Sequence, residues 1–301
     1  MKSLLFAGVA ALFATPAIAQ DARPAAGANI FVSSDSDGTD VFKGGIDFDL
    51  ARWSRTRYHG LTVERAHFAP GNSDVEETET RVYGRIGREV GDWELAAKVG
   101  TDGEEVLGSL SAVHDVPLRK EFFLEREIVE TPQGILLDLM STYGGVAIDV
   151  PLGDRAGLTL LGGLQDFSGD NERYHLRANA YYVVAPEAGL SLQLRTRYFT
   201  DTVVREFDYY APGEFAQILP VVQLQRFTDG WRYRVAGGWG AQRDSDTDWR
   251  DARYAEARVT SPDLGRFYLE GSAIYSTTPA RQGQIDDYSY GALNLSANAR
   301  F

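Results

Sequence analysis

Residues 190–198 read Leu190-Ser191-Leu192-Gln193-Leu194-Arg195-Thr196-Arg197-Tyr198. Successive side chains of a β-strand point to opposite faces. Leu190, Leu192, Leu194, Thr196 and Tyr198 therefore share one face, and Ser191, Gln193, Arg195 and Arg197 share the other. The second face, with its two guanidinium groups, has no place in a packed apolar core. The same alternation returns at 231–242, where Trp231, Tyr233, Val235, Gly237, Trp239 and Ala241 oppose Arg232, Arg234, Ala236, Gly238, Gly240 and Gln242. At 286–301 it places Gly291, Leu293, Leu295, Ala297, Ala299 and Phe301 on the apolar side.

Alternation alone fits a soluble sandwich or a membrane barrel. A sandwich needs an interior of large aliphatic side chains, whereas this apolar face is spaced with Gly and Ala and ends in Tyr, Trp and Phe. Lipid flanked by aromatic girdles suits such a face better. Strand length agrees, because a tilted membrane strand takes about 9–11 residues, longer than the common globular strand. Hydrocarbon tolerates no open sheet edge, so strands that cross it must close on themselves. The expectation is an all-β chain forming a closed antiparallel up-and-down transmembrane β-barrel. Its sixteen strands are expected near 28–35, 39–50, 57–68, 78–89, 91–101, 104–114, 118–129, 142–150, 156–167, 172–184, 189–199, 214–227, 231–242, 250–260, 264–276 and 286–301. Fourteen is the alternative count, since the first run and the region 130–141 are the least regular. Asp37-Gly38, Gly91-Asp92, Asp102-Gly103, Gly153-Asp154, Gly169-Asp170 and Asp229-Gly230 mark tight turns. An even-stranded barrel puts both termini on the periplasmic side. The longer connections near 69–77, 130–141, 201–213 and 243–249 need not all fall outside under this count, so the side on which each lies stays open.

Composition narrows the class. The 301 residues include no Cys, which excludes disulfide scaffolds and thiolate chemistry, and the net charge of −13 argues against nucleic acid as a partner. Mean hydropathy is −0.27, and no apolar run reaches the length of a spanning helix. Residues 1–19 carry Lys2, an apolar stretch from Leu4 to Phe13 and the small-residue exit Ala17-Ile18-Ala19, the pattern of an export signal. Removing those 19 of 301 residues leaves 282 and, with Lys2 gone, takes the charge from −13 to −14. A short periplasmic leader at 20–28 then precedes a barrel at 29–301. The whole pattern places the protein in the outer membrane of a Gram-negative bacterium, as a monomer in contact with lipid and lipopolysaccharide.

A barrel of this size is wide enough for an aqueous interior. Strand phase points Asp47, Glu64, Glu94, Glu125, Glu127, Arg177, Arg195, Arg197, Arg232, Arg234, Glu256, Arg258, Arg266, Tyr268 and Glu270 into it. Mixed charges of this kind pair across a lumen or meet a polar cargo, and aromatic rings among them suit sugar rings. Asp-rich stretches at 33–40, 74–79 and 244–251 lack the spacing of a calcium loop, so no metal and no cofactor is expected. The histidines are His59, His67, His114 and His175; no G-x-S-x-G elbow occurs, and no catalytic residue is expected.

Three segments carry a family resemblance: EFFLEREIVET at 121–131, GGVAIDVPLGDRAGLTLLGGLQDFSGDNER at 144–173 and DYYAPGEF at 208–215. Together they resemble the outer-membrane barrel domain of bacterial exopolysaccharide export proteins, of which the poly-N-acetylglucosamine export porins and, more distantly, the cellulose export barrels are examples. The resemblance spans about residues 30–301. It implies a sixteen-stranded barrel that passes a nascent polysaccharide outward without chemistry, the cargo neutral or partly cationic given the acidic chain. It also implies that Tyr209, Tyr210 and Pro212 mark a strand entrance, with Ala211 where the family has Ser, and that the terminal Phe301 is read by the outer-membrane assembly machinery. The family's periplasmic helical-repeat domain has no counterpart before the first strand, so a separate periplasmic scaffold and a polysaccharide synthase are the implied partners. A general small-solute porin and a nonconducting structural barrel are the competing readings, with a barrel lipid hydrolase behind them.

Overall fold

The computed structural model describes residues 22–301, apart from 72, 117, 263–265 and 279–287. Sixteen strands run in chain order: β1 (Arg23–Asp35), β2 (Asp40–Arg52), β3 (Tyr58–Ala69), β4 (Glu77–Val90), β5 (Trp93–Thr101), β6 (Val106–His114), β7 (Arg119–Ile128), β8 (Met140–Pro151), β9 (Ala156–Phe167), β10 (Glu172–Ala185), β11 (Leu190–Asp201), β12 (Glu214–Thr228), β13 (Trp231–Asp244), β14 (Thr247–Thr260), β15 (Phe267–Ser276) and β16 (Tyr290–Arg300). A single helical turn, α1 (Pro132–Leu136), lies between β7 and β8. Every strand pairs antiparallel with its sequence neighbours, and β1 pairs with β16 to close the barrel. The count is sixteen, not fourteen.

The seam corrects one boundary. Residues 23–28, expected as leader, are strand: Ala25 faces Arg300, Ala26 faces Ala299 and Ala28 faces Ala297. Their small side chains carry little alternation signal, but β16 would be an open edge without them. The proposed signal at 1–19 and residues 20 and 21 lie outside the described residues.

Turn chemistry sets the short end of the barrel. Asp229 and Gly230 link β12 to β13 with φ of 50° and 79°, the two positive values of a type I′ hairpin turn, which Asp-Gly favours. The first residue of β1, Arg23, and the last of β16, Arg300, lie at this end. The longer connections 70–76, 129–139 and 202–213 all lie at the opposite end, which settles a segregation that the expected strand count left open. The stretch near 243–249 is not a long loop, because β13 and β14 are joined through only Ser245 and Asp246.

One strand face meets the surroundings of the barrel and the other meets its interior. Leu61, Val63, Val222, Val235 and Trp239 stand exposed on the outside, Trp239 at 65%. A continuous apolar belt of this kind is a liability in water and the required surface in lipid. Between them on the inner face, Thr62, Glu64, Arg81 and Gln242 are buried.

Candidate functional site

Of the fifteen residues expected to line the lumen, fourteen lie on the inward-facing register, and Arg266 stands exposed in the turn before β15. Asp47 is on β2, Glu64 on β3, Glu94 on β5, Glu125 and Glu127 on β7, Arg177 on β10, and Arg195 and Arg197 on β11. Arg232 and Arg234 are on β13, Glu256 and Arg258 on β14, and Tyr268 and Glu270 on β15, with Arg266 just before it. Register links them around the wall: Lys98, Ser109, Glu125, Tyr143, Gln165 and Arg173 are successive partners from β5 to β10. They do not form one site. The inner wall divides into a carboxylate-rich half on β2 to β7 and an arginine-rich half on β10 to β14.

In the first half Asp47, Glu64 and Glu127 are held in ion pairs, while no ion pair holds Glu94 or Glu125 among the described residues. Arg81, wholly buried, bonds Glu127 at 3.1 Å and Glu64 at 3.5 Å, and also contacts Glu79. Lys43 reaches Glu127 at 3.2 Å and Glu130 at 3.0 Å, and Lys98 reaches Glu64 at 3.2 Å. Arg85 spans Asp47 at 2.9 Å and Asp49 at 2.7 Å. Buried charges persist only when paired in this way. Sequence phase found the acids but missed Arg81 and Arg85 as their partners. The alternation Glu79, Arg81, Tyr83, Arg85 along β4 was the available signal.

The second half is sparsely paired. Arg177 and Arg197 sit directly opposite each other on β10 and β11, and Arg234 faces Arg258 on β13 and β14. Arg234 and Arg258 share Glu256, at 2.5 and 3.6 Å. Arg195 lies over the Tyr254 ring, 4.8 Å from its centroid. At the short-turn end Tyr268 donates to Glu270, and Arg55 from the turn before β3 bonds the same carboxylate at 3.1 Å. Tyr268 and Glu270 thereby tie down a turn.

Two long loops fold into the barrel mouth. Thr131 caps α1 by accepting from the Gly134 amide, and Pro132 occupies the first turn, where its missing N–H is not needed. Ile135 then packs with Val41, Ala66, Phe68, Tyr83 and Leu107 on the inner face of β2, β3, β4 and β6. Gly134 allows the tight return, because a Cβ there would lie 1.9 Å from the Val129 carbonyl oxygen. From the other side, Tyr209 stacks on Phe167 at 4.3 Å with ring planes 9° apart. The Tyr210 carbonyl accepts from Arg173, and its hydroxyl donates to Asp244 at 2.6 Å. Burial, and then the neighbouring Asp244 carboxylate, push the Tyr210 phenol well above its ordinary range, so it stays a donor. Pro212 ends this loop two residues before β12. The tyrosines expected only to mark a strand entrance are thus anchors of an inward-folded loop.

Beneath the loops is a cavity of about 780 Å³. Phe31, Tyr143, Phe167, Tyr209, Tyr210, Tyr288 and Tyr290 contribute rings to it. Asp35, Glu64, Glu125, Glu127 and Glu130 supply acids against Lys43, Lys98 and Arg173. His175 lies beside it, bonded to Gln165 at 3.2 Å and packed on Tyr143. Asn171, four residues away, instead donates to Asp201 at 2.9 Å. Phe301 follows the last strand, exposed, with its amide bonded to the Pro24 carbonyl at 3.0 Å.

No family model matches the chain, and no curated protein does. Among solved structures, a bacterial polysaccharide outer membrane secretin superposes with a TM-score of 0.67 at 12% identity, over 92% of this chain and 98% of that one. OccK5 (OpdH) of Pseudomonas aeruginosa gives 0.45 at 11% identity, over 93% and 98%. CdiB of Acinetobacter baumannii gives 0.47 at 11% identity, over 91% of this chain and 60% of that one. The fold is that of a Gram-negative outer-membrane barrel.

Proposed function

We propose that this outer-membrane barrel is a channel that passes a polysaccharide, neutral or partly cationic in sum, from the periplasm to the cell exterior. The observation that carries the reading is the loop-end cavity, where seven aromatic rings converge with five carboxylates and three cationic groups. Pyranose rings stack their apolar faces on such rings, while their hydroxyls bond carboxylates and cations, and the acid surplus favours amino sugars over acidic ones there. The likeness to a polysaccharide secretin barrel supports the same reading. Export needs no chemistry from the wall, and His175 is committed to Gln165 and two aromatic neighbours. A separate periplasmic guide and a polysaccharide synthase would supply the cargo, and Phe301 would serve assembly.

The segregation of acids from arginines favours a second reading, a general diffusion channel with a transverse field. Planar-bilayer recordings separate the two. Export predicts conductance that glucosamine-containing polymer blocks from the short-turn side while glucosamine monomer does not. Equal block by polymer and monomer would support the diffusion channel, and a silent bilayer would remove both readings.

A further inference from the structure

Buried polar atoms without partners occur at several places among the described residues, and four of them gather on one patch of the inner wall. Tyr143 Oη, His175 Nδ1, Arg177 Nε and Arg197 Nε are each buried without a hydrogen-bond partner. Tyr143 is on β8 and the others are on β10 and β11, and their elements are joined by register. His175 packs 4.7 Å from Tyr143 and 5.6 Å from Phe199, and Arg197 lies 5.1 Å from the Phe199 ring centroid. Gly163 lets the Tyr143 ring lie close against the wall, since a Cβ there would come within 2.8 Å of it.

Two guanidinium groups directly across a strand pair repel, and in a low-dielectric wall that cost requires a counter-charge. Among the described residues neither Arg177 nor Arg197 has a carboxylate within ion-pair distance. On β11, Asp201 has its Oδ1 engaged by Arg173 and Asn171, both at 2.9 Å, and its Oδ2 is buried without a hydrogen-bond partner. Three of the four orphan atoms are N–H or O–H donors, while His175 Nδ1 is left as an acceptor because Nε2 donates to Gln165 Oε1. A guanidinium fork matches the oxygens of a carboxylate or sulfate, and flanking rings match a sugar.

We propose that Arg177, Arg197 and Tyr143 form an oxyanion-binding site in the lumen that takes the carboxylate or sulfate group of an acidic sugar. The site itself rests on the orphan donors; only the identity of its carrier, an acidic unit scattered along the translocated glycan, rests on the export reading. Arg177 and Arg197 lie on the arginine-rich half, and Tyr143 borders the loop-end cavity, where Glu125 is its register partner.

The test is titration calorimetry of the purified full-length protein in detergent micelles at low ionic strength, with glucuronate, sulfate and glucose as probes. Saturable binding of glucuronate and sulfate, with no heat from glucose, is expected. Arg177→Gln and Arg197→Gln should each weaken it about tenfold or more, the loss of one charge-assisted contact. Arg253→Gln, which removes the same charge from the outer face, should bind as the parent does. If an arginine variant does not fold, Tyr143→Phe removes one donor at nearly constant volume and should weaken binding by a smaller factor. Sulfate binding without glucuronate binding would overturn the sugar carrier and leave a site for a free ion. No saturable anion binding, or parental binding by both arginine variants, overturns the site. Bilayer block and micellar calorimetry fail independently, so loss of this site and loss of the export reading are distinguishable.

Discussion

The Asp208 carboxylate and the Thr131 hydroxyl are hydrogen-bonded at 2.5 Å, joining two loops that are 77 residues apart in the chain. Asp208 also accepts from the Gln133 amide at 2.8 Å, so one acid holds the first turn of α1 against the loop before β12. Neither loop packs fully without the other, since Val129 and Leu139 share a cluster with Tyr209 and Ala211.

Asp208→Ala removes both bonds. The expected loss is about 2 kcal/mol of loop docking, enough to shift the ratio of docked to undocked loop by more than tenfold. Single-channel recordings should show a larger and noisier conductance than the parent. Unchanged conductance would mean that the loops do not restrict the lumen.

Gly134→Val places a side chain where a Cβ already meets the Val129 carbonyl oxygen at 1.9 Å. The turn must open and withdraw Ile135 from the inner wall, with a cost of about 2 kcal/mol or more. Limited proteolysis within 130–138 should become fast in the variant while the barrel resists.

Arg81→Met leaves Glu64, Glu79 and Glu127 without their shared cation. Removing one partner from a buried ionic cluster costs about 3–5 kcal/mol. The urea midpoint, followed by heat-modifiable gel mobility, should fall accordingly. Adding Glu127→Gln should recover part of the loss, because fewer unpaired carboxylates remain.

In the turn after β5, burial raises the Asp102 carboxyl, but the Glu105 and Glu104 amides that donate to it at 2.8 and 2.9 Å outweigh burial and hold it below its ordinary range. A group with a depressed folded pKa stabilises above its unfolded pKa and loses that contribution as pH falls through the folded value. Hydrogen exchange at the Glu104 and Glu105 amides should therefore accelerate below about pH 4, the ordinary carboxylate range. Asp102→Asn should flatten that acid dependence, and an unchanged profile in the variant would assign the effect elsewhere.

Much of the barrel was legible in the chain because alternation is a local property. Leu192 and Arg195 take opposite faces wherever β11 packs, and Asp229-Gly230 makes its turn from its own backbone preferences. The first strand was less legible, as Ala25 to Ala28 carry no contrast between faces and gain their meaning from partners near residue 300. α1 was hidden for the opposite reason: five residues cannot show a helical period, and Ile135 is apolar for the sake of a wall contributed by β2 to β6.

By itself, the sequence determined the strand phase, the lipid-facing belt, the inward acids and arginines, and the hairpin turns, since each depends on residues within a few positions of one another. Tertiary structure alone decided that Arg81 pairs with Glu64 and Glu127, that Asp208 accepts from the first turn of a helix on another loop, and that Arg177 faces Arg197 with no carboxylate in ion-pair distance among the described residues. Those relations depend on which strands become neighbours and how far each is staggered. Closure of the sheet fixes both, and no single segment encodes it.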